Sequence, residues 1–391
     1  MKSCKDKATV PHTNRRGCTA RYRVSSPKMN AKENDPMKKA LTLLTGAAMM
    51  VSLLAGCGAA STSSTASSQA ASEPASTASS EQSTNYDDVT PDITLSLSHQ
   101  MAASHSINQT AEEFARLVKE KSEGKIQVDV YPSATLGTET ENLQALTNGT
   151  LDVAVIAAEF YANYVDEAGI LCLPFMYDSY DDAYAKLHSE AGDTIKDMIL
   201  EKTNVRVLDW YVLAFRQIFT VDKPINSISD LSGMIIRIPD SNTYKSTFSQ
   251  LGAAPTAVAW GETYTALDTG LVSAVENTPE SIMSASMQEV CQYVNETNHI
   301  LGPTTISISD AVYQKLTAEQ QAIIDEAAKE ACEYGLNLTK DGSDANFAAL
   351  TDAGLTKVET DVDSLKSAID YSAYACAQSD KGKQILASLG K

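Results

Sequence analysis

Between Ala59 and Thr84, 21 of 26 residues are Ser, Thr or Ala, and no apolar periodicity runs through them. Such a stretch buries too little apolar surface to offset the entropy of ordering it, so it behaves as a flexible tether. At about 5–6 Å × √n its typical reach is roughly 28 Å. Whatever folds lies downstream, from about Asp92 to Lys391, and that 300-residue body is long enough for two domains.

Ahead of the tether come Met37-Lys38-Lys39, an apolar run from Ala40 to Ala55, and the string Leu53-Leu54-Ala55-Gly56-Cys57. A basic start, about 16 apolar residues and small residues at the end describe a secretory signal, shorter than the roughly 20 residues of a membrane span. Leu-Ala-Gly-Cys resembles the lipobox of bacterial lipoproteins, whose cysteine is acylated and becomes the mature N-terminus. On that resemblance Cys57 carries lipid, and the body is extracytoplasmic and anchored to the cell membrane. The alternative is an ordinary cleaved signal with a chance cysteine. Because a signal normally begins at the first Met, residues 1–36 read as an upstream extension or a misassigned start. Residues 37–56 are then the signal, and 57–91 the acylated cysteine with its linker.

The first 56 residues carry 11 Lys/Arg and 3 Asp/Glu, so removing them takes the net charge from −19 to −27. So acidic a surface argues against nucleic acid or an anionic bilayer as partner, and leaves any anionic ligand to a few local cations. The body's cysteines, Cys172, Cys291, Cys332 and Cys376, have no metal-ligand or CxxC spacing and read as small buried hydrophobes. Of its histidines, His99 and His105 suggest one residue lining a cleft and one capping or solvated, rather than a metal pair. Carboxylates such as Glu139 and Glu141 read as solvated faces. No cofactor or metal site is expected.

Strand and helix patterns alternate along the body. Ile93–Ser98 has period two, and Ala111, Phe114, Ala115, Leu117 and Val118 form a helical stripe. A strand at 126–131, a helix at 138–148 stopped by Gly149, and a strand at 151–157 follow. Further strands are expected at 205–211, 234–239, 256–260 and 272–276, each followed by helix-like sequence, and a long helix at 316–337 begins with a Thr317/Gln320 capping box. Alternation of this kind predicts an α/β fold with sheets covered by helices. GxSxG, HExxH, P-loop and GxGxxG motifs are all missing.

One ordered set of short motifs goes further. Ser122–Ile126, Leu136-Gly137, Asn148–Asp152 and Leu173-Pro174-Phe175 precede Phe215-Arg216-Gln217. Lys223-Pro224-Ile225, Asp230–Gly233, Ile236–Pro239, Leu251-Gly252-Ala253 and Gly261–Leu267 follow, then Glu276-Asn277 and Thr297-Asn298-His299. Each is weak alone; in this order the chain, from about Leu95 to Leu338, resembles the solute-binding proteins of TRAP transporters, the DctP family. The resemblance implies a two-lobed periplasmic-binding-protein-like fold with a hinge and a long helix spanning both lobes. Residues 92–212 with 303–344 would form one lobe, and 213–302 with 345–391 the other. It also implies a small organic acid as ligand, a TRAP permease as partner, and a monomer.

The resemblance assigns roles as well. Arg237 takes the ligand carboxylate, for which a planar, always-charged fork of donors is suited. Arg216 takes a further oxygen, or else forms a structural ion pair. Asn277 offers donor and acceptor, and Trp260 an aromatic face. His99, Gln100, Glu159 and Asp240 are polar candidates for ligand hydroxyls. The family usually has Asp-Gly before Gln-Glu-Asn, where this chain reads Ser273-Ala274-Val275-Glu276-Asn277. Where the sialic-acid binders have a Glu and an Arg it has Ala157 and Phe160, which argues against sialic acid. The expected ligand is a sugar acid (uronate or aldonate). A C4-dicarboxylate held by Arg216 and Arg237 is the near alternative, and an extracytoplasmic enzyme acting on acidic sugars is the rival from another class.

Overall fold

The computed structural model describes residues 86–391. The signal, Cys57 and the tether lie outside the described residues. Nine strands form one mixed sheet: β1 Ile93–Ser98, β2 Ile126–Tyr131, β3 Val153–Ala157, β4 Val205–Thr220, β5 Ile235–Ile238, β6 Ala254–Ala257, β7 Ala274–Asn277, β8 Tyr293–Ser309 and β9 Thr356–Glu359. Their order is β2-β1-β3-β8-β4-β7-β5-β6, with β9 on β8. Helical crossovers make the β1–β2, β1–β3, β5–β6 and β5–β7 pairs parallel, whereas β4 and β8 run antiparallel to their main neighbours.

The two long strands join the halves. Val205–Val212 of β4 pairs with Pro303–Ser309 of β8 beside β3, and Phe215–Thr220 pairs with Tyr293–Leu301 beside β7. The register slips between Val212 and Phe215 and again after Arg216, and such slips bend strands. The structure corrects two expectations here. Strand β4 does not stop at Tyr211, and β8, which the sequence patterns do not reveal, runs for 17 residues. Both strands are buried on both faces along most of their length, so the period-two signal is absent.

Local signals otherwise hold. Thr138 caps the helix Glu139–Asn148 in a capping box with Glu141, and Gly149 ends it at φ +71, a conformation that suits glycine. The Thr317/Gln320 capping box starts the helix Ala318–Asp352. That helix runs 15 residues past the expected Asn337 because its far end packs on the second half, where Leu350 joins Phe219, Leu267, Val275 and Ile282. Its near end buries Ile324, Ala327, Ala328 and Ala331 in the larger core with Phe114 and Trp210. At Gly335 an added Cβ would meet Thr110 Oγ1 at 2.6 Å, so the glycine admits the helix Ser106–Lys121 at close range. The tail touches both halves: β9 pairs with β8, while the turns and helix 375–388 pack on 166–172 of the first half. The four body cysteines are free and buried.

Candidate functional site

Strand ends, loops and short helices from both halves meet at one cavity. His99, Gln100, Glu159, Arg216, Arg237, Trp260 and Asn277 line an inner space of about 50 Å³. It shares Gln100, Arg237 and Trp260 with an adjoining outer cavity of about 440 Å³. Asp240 is exposed and lines only the outer cavity. The halves also bond to each other beside this space. Asn163 Nδ2 donates to the Asp240 carbonyl at 2.6 Å, and Ser106 donates its N–H and hydroxyl to Glu280 at 2.7 and 2.6 Å.

The two arginines differ. The antiparallel pairing of β4 with β7 puts Ile218 opposite Glu276, which brings Arg216 beside that carboxylate. Arg216 Nε and Nη2 donate to Glu276 at 2.5 and 2.8 Å, a forked contact that is wholly buried. Burial alone raises the Glu276 carboxyl, but the Arg216 guanidinium together with His299 outweighs it and holds the group below its ordinary value. His299 lies behind, its Nε2 3.4 Å from Glu276, kept neutral mainly by burial. Arg237, on β5, spends its Nε on the Val258 carbonyl at 2.9 Å. Among the described residues no carboxylate lies within 4.0 Å of its guanidinium, and the residue is 4 % exposed. Burial lowers its pKa and Arg216 adds to this, while Glu276 opposes. The Trp260 ring sits 5.4 Å from that guanidinium; the residue opens a short 3-10 turn rather than ending a strand, because β6 stops at Ala257.

The facing wall is acidic. Glu159, in the helix Ala158–Tyr161 after β3, is buried, with Oε1 4.0 Å from Arg216 Nη1 and Oε2 without a hydrogen-bond partner. Burial raises its carboxyl above the ordinary value, with Arg216 acting against the rise. Glu139 corrects the solvated-face expectation. It is buried, lines both cavities, and accepts from the Gln100 amide and the Ala157 N–H. Burial first and Glu159 second push its carboxyl up to about 8. Its neighbour Glu141 is the exposed member, occupied by the capping box. Phe160 and Thr304 also line the inner space.

His99 Nε2 donates to Asn108 Oδ1 at 3.1 Å, since the Asn108 amide points to Glu112; burial lowers the imidazole to about 4 and keeps it neutral. His105 is the capping residue, its Nδ1 accepting from the Ile107 N–H, though buried rather than solvated. Asn277 Oδ1 accepts from the Thr278 N–H at 2.8 Å, leaving its amide nitrogen without an intramolecular acceptor among the described residues. In sum the cavity presents one cationic fork without a carboxylate partner, several hydrogen-bonding groups and two aromatic faces.

Residues 97–374 match the family model described as bacterial extracellular solute-binding protein, family 7 (DctP). The chain belongs to that family. A solute-binding protein of Roseobacter denitrificans is 31% identical over 270 residues, covering 69% of this chain and 82% of its own. The crystal structure of a TRAP periplasmic solute-binding protein from the same organism, with bound L-galactonate, matches 78% of this chain and 100% of its own at a TM-score of 0.73 and 29% identity. A Bradyrhizobium TRAP periplasmic protein in complex with D-galacturonate matches 75% of this chain and 98% of its own, with a TM-score of 0.71 and 30% identity. The C4-dicarboxylate-binding protein of Bacillus subtilis is 29% identical over 253 residues, 64% of this chain and 72% of its own. This DctP-family chain is a TRAP-type solute-binding protein with the two-lobed fold, a transport component and not an enzyme. Among the described residues no helix is long and apolar enough to cross a membrane.

Proposed function

We propose that the protein captures a sugar acid with one carboxylate, a uronate or aldonate, and delivers it to the membrane subunits of a TRAP permease. One observation carries this reading: Arg216 is engaged by Glu276, while Arg237 has no carboxylate partner among the described residues. One unpaired fork suits one carboxylate. Gln100, Glu139, Glu159, Asn277 and neutral His99 supply partners for hydroxyls, and Trp260 and Phe160 supply apolar faces. The galactonate and galacturonate held by two solved relatives are acids of this kind. The second reading, a C4-dicarboxylate, is favoured by the Bacillus relative. The commitment of Arg216 to Glu276 speaks against it.

In this reading 92–212 with 303–344 and 213–302 with at least the β9 part of the tail are two lobes. They hinge where β4 and β8 change register, and a ligand touching both favours the closed form. Acylation at Cys57 tethers a monomeric body to the outer face of the membrane.

Melting the protein with D-galacturonate, D-glucuronate, L-galactonate and succinate tests the reading. A ligand at 100 times its dissociation constant adds about 2.7 kcal/mol, visible as a shift of a few degrees. A shift with succinate larger than with every sugar acid would overturn it in favour of the dicarboxylate. For the anchor, Cys57→Ala should release the protein from the membrane fraction, and a mature N-terminus found elsewhere in the tether refutes lipidation.

A further inference from the structure

We propose that Glu139 and Glu159 share a single proton in the binding cavity, and that this carboxyl pair makes the site select acids with one carboxylate over those with two. The selectivity half rests on the sugar-acid reading above; the shared proton does not.

The geometry comes from two successive helices joined by β3. Glu139 opens the helix Glu139–Asn148 but turns inward, one oxygen accepting from the Ala157 N–H. Glu159 lies two residues after Ala157, in the next helix, so chain connectivity delivers both carboxyls to one cavity, each no more than 6 % exposed. The other titratable groups around them are Arg216, Arg237, Glu276, His99, His299, Tyr161, Tyr211, Tyr244 and Cys172, with the exposed Asp240 on the outer cavity. Burial keeps the two imidazoles, the phenols and the thiol neutral. Two guanidinium cations then face three carboxylates.

With all three ionised the cavity is already one negative charge in excess, and a bound carboxylate makes the excess two. In a closed, water-poor space such an excess is strongly unfavourable, and one proton on the pair removes half of it. Glu276 is a poor host for that proton because Arg216 holds it ionised. Glu139 and Glu159 are the groups that burial drives toward the neutral form. The Ala157 and Gln100 donors and the helix N-terminus favour ionised Glu139, so the proton belongs to the pair rather than to one residue. A half-protonated pair offers one donor and several acceptors, which fits neighbouring hydroxyls. A second ligand carboxylate would meet its remaining charge.

The proton is tested without ligand. A carboxyl whose folded pKa is raised favours folding less as pH climbs from the unfolded value of about 4.3 to the folded value, and Gln cannot ionise. The melting temperature of Glu139→Gln minus that of wild type should therefore grow between pH 5 and pH 8.5, and grow less in a Glu159→Gln background. Parallel melting curves for wild type and both single variants across that range would overturn the shared proton. With ligand, calorimetry of D-galacturonate at pH 8.5 in phosphate and in Tris should read close to one proton taken up, falling to a few tenths or less at pH 6. No uptake at either pH overturns the proposal. The double variant Glu139→Gln/Glu159→Gln, which removes the remaining charge, should raise affinity for galactarate, the two-carboxylate counterpart, relative to galacturonate by about tenfold, and an unchanged ratio overturns the selectivity half. Failure of every sugar acid to bind wild type defeats the sugar-acid reading and the selectivity half, while the melts still decide the proton.

Discussion

Arg216 and Arg237 line the same cavity, and both are almost wholly buried. Arg216 lies on the long strand β4 and is locked to Glu276 across the β4–β7 pairing, with His299 behind. Arg237 lies on the short strand β5, where its direct contacts among the described residues are the Val258 carbonyl and the Trp260 ring. A buried charge with its counter-ion supports the framework, and removing one partner leaves the other stranded. A buried charge without one is a standing cost to the fold that an anionic ligand can relieve. The same side chain thus serves structure in one place and recognition in the other, and the difference is set by what faces it.

The largest expected effect is on binding. Arg237→Ala should weaken D-galacturonate by about 3–5 kcal/mol, the usual loss when a buried ion is left unpaired, a factor of roughly 150 to several thousand. Its melting temperature without ligand should stay level or rise. Calorimetry on the folded variant checks this, and affinity within threefold of wild type would break the distinction between the two arginines.

Arg216→Ala should act on stability instead. The loss is expected near the lower end of that range, about 3 kcal/mol, because His299, 3.4 Å away, can take up a proton beside the stranded Glu276. Thermal melting without ligand reads it as a drop of several degrees. Adding Glu276→Gln should restore part of the loss, and a single variant that melts within a degree of wild type contradicts a structural pair. The smallest effect belongs to Arg237→Lys, which keeps the charge but not the fork. It should bind roughly tenfold more weakly than wild type, the cost of about one charge-assisted hydrogen bond, and equal affinity would mean that one point charge suffices.

The family resemblance carried by the motif order implied one cleft for Arg216, Arg237, Asn277 and Trp260, and seven of the eight named candidates line the inner cavity. It did not say which arginine was engaged, because Arg216 and Glu276 are 60 residues apart and meet only through strand pairing. It misplaced Glu139 for a related reason. In Thr138-Glu139-Thr140-Glu141 both acids look alike, and only the helix direction separates the inward Glu139 from the capping Glu141. A helix start just after Leu136-Gly137 was legible. The face on which its first residue lies was not.

By itself the sequence determined what is local: helix boundaries written in Thr317, Thr138 and Gly149, and the membership signalled by its ordered motifs. Tertiary structure decided what depends on distant partners. The lengths of β4 and β8, the extension of the helix Ala318–Asp352 across both halves, the pairing of Arg216 and the burial of Glu139 are of this kind. The physical reason is that periodicity and capping act within a few residues. Burial on both faces, and the electric field inside a cavity, are set by segments the local chain never meets until it folds.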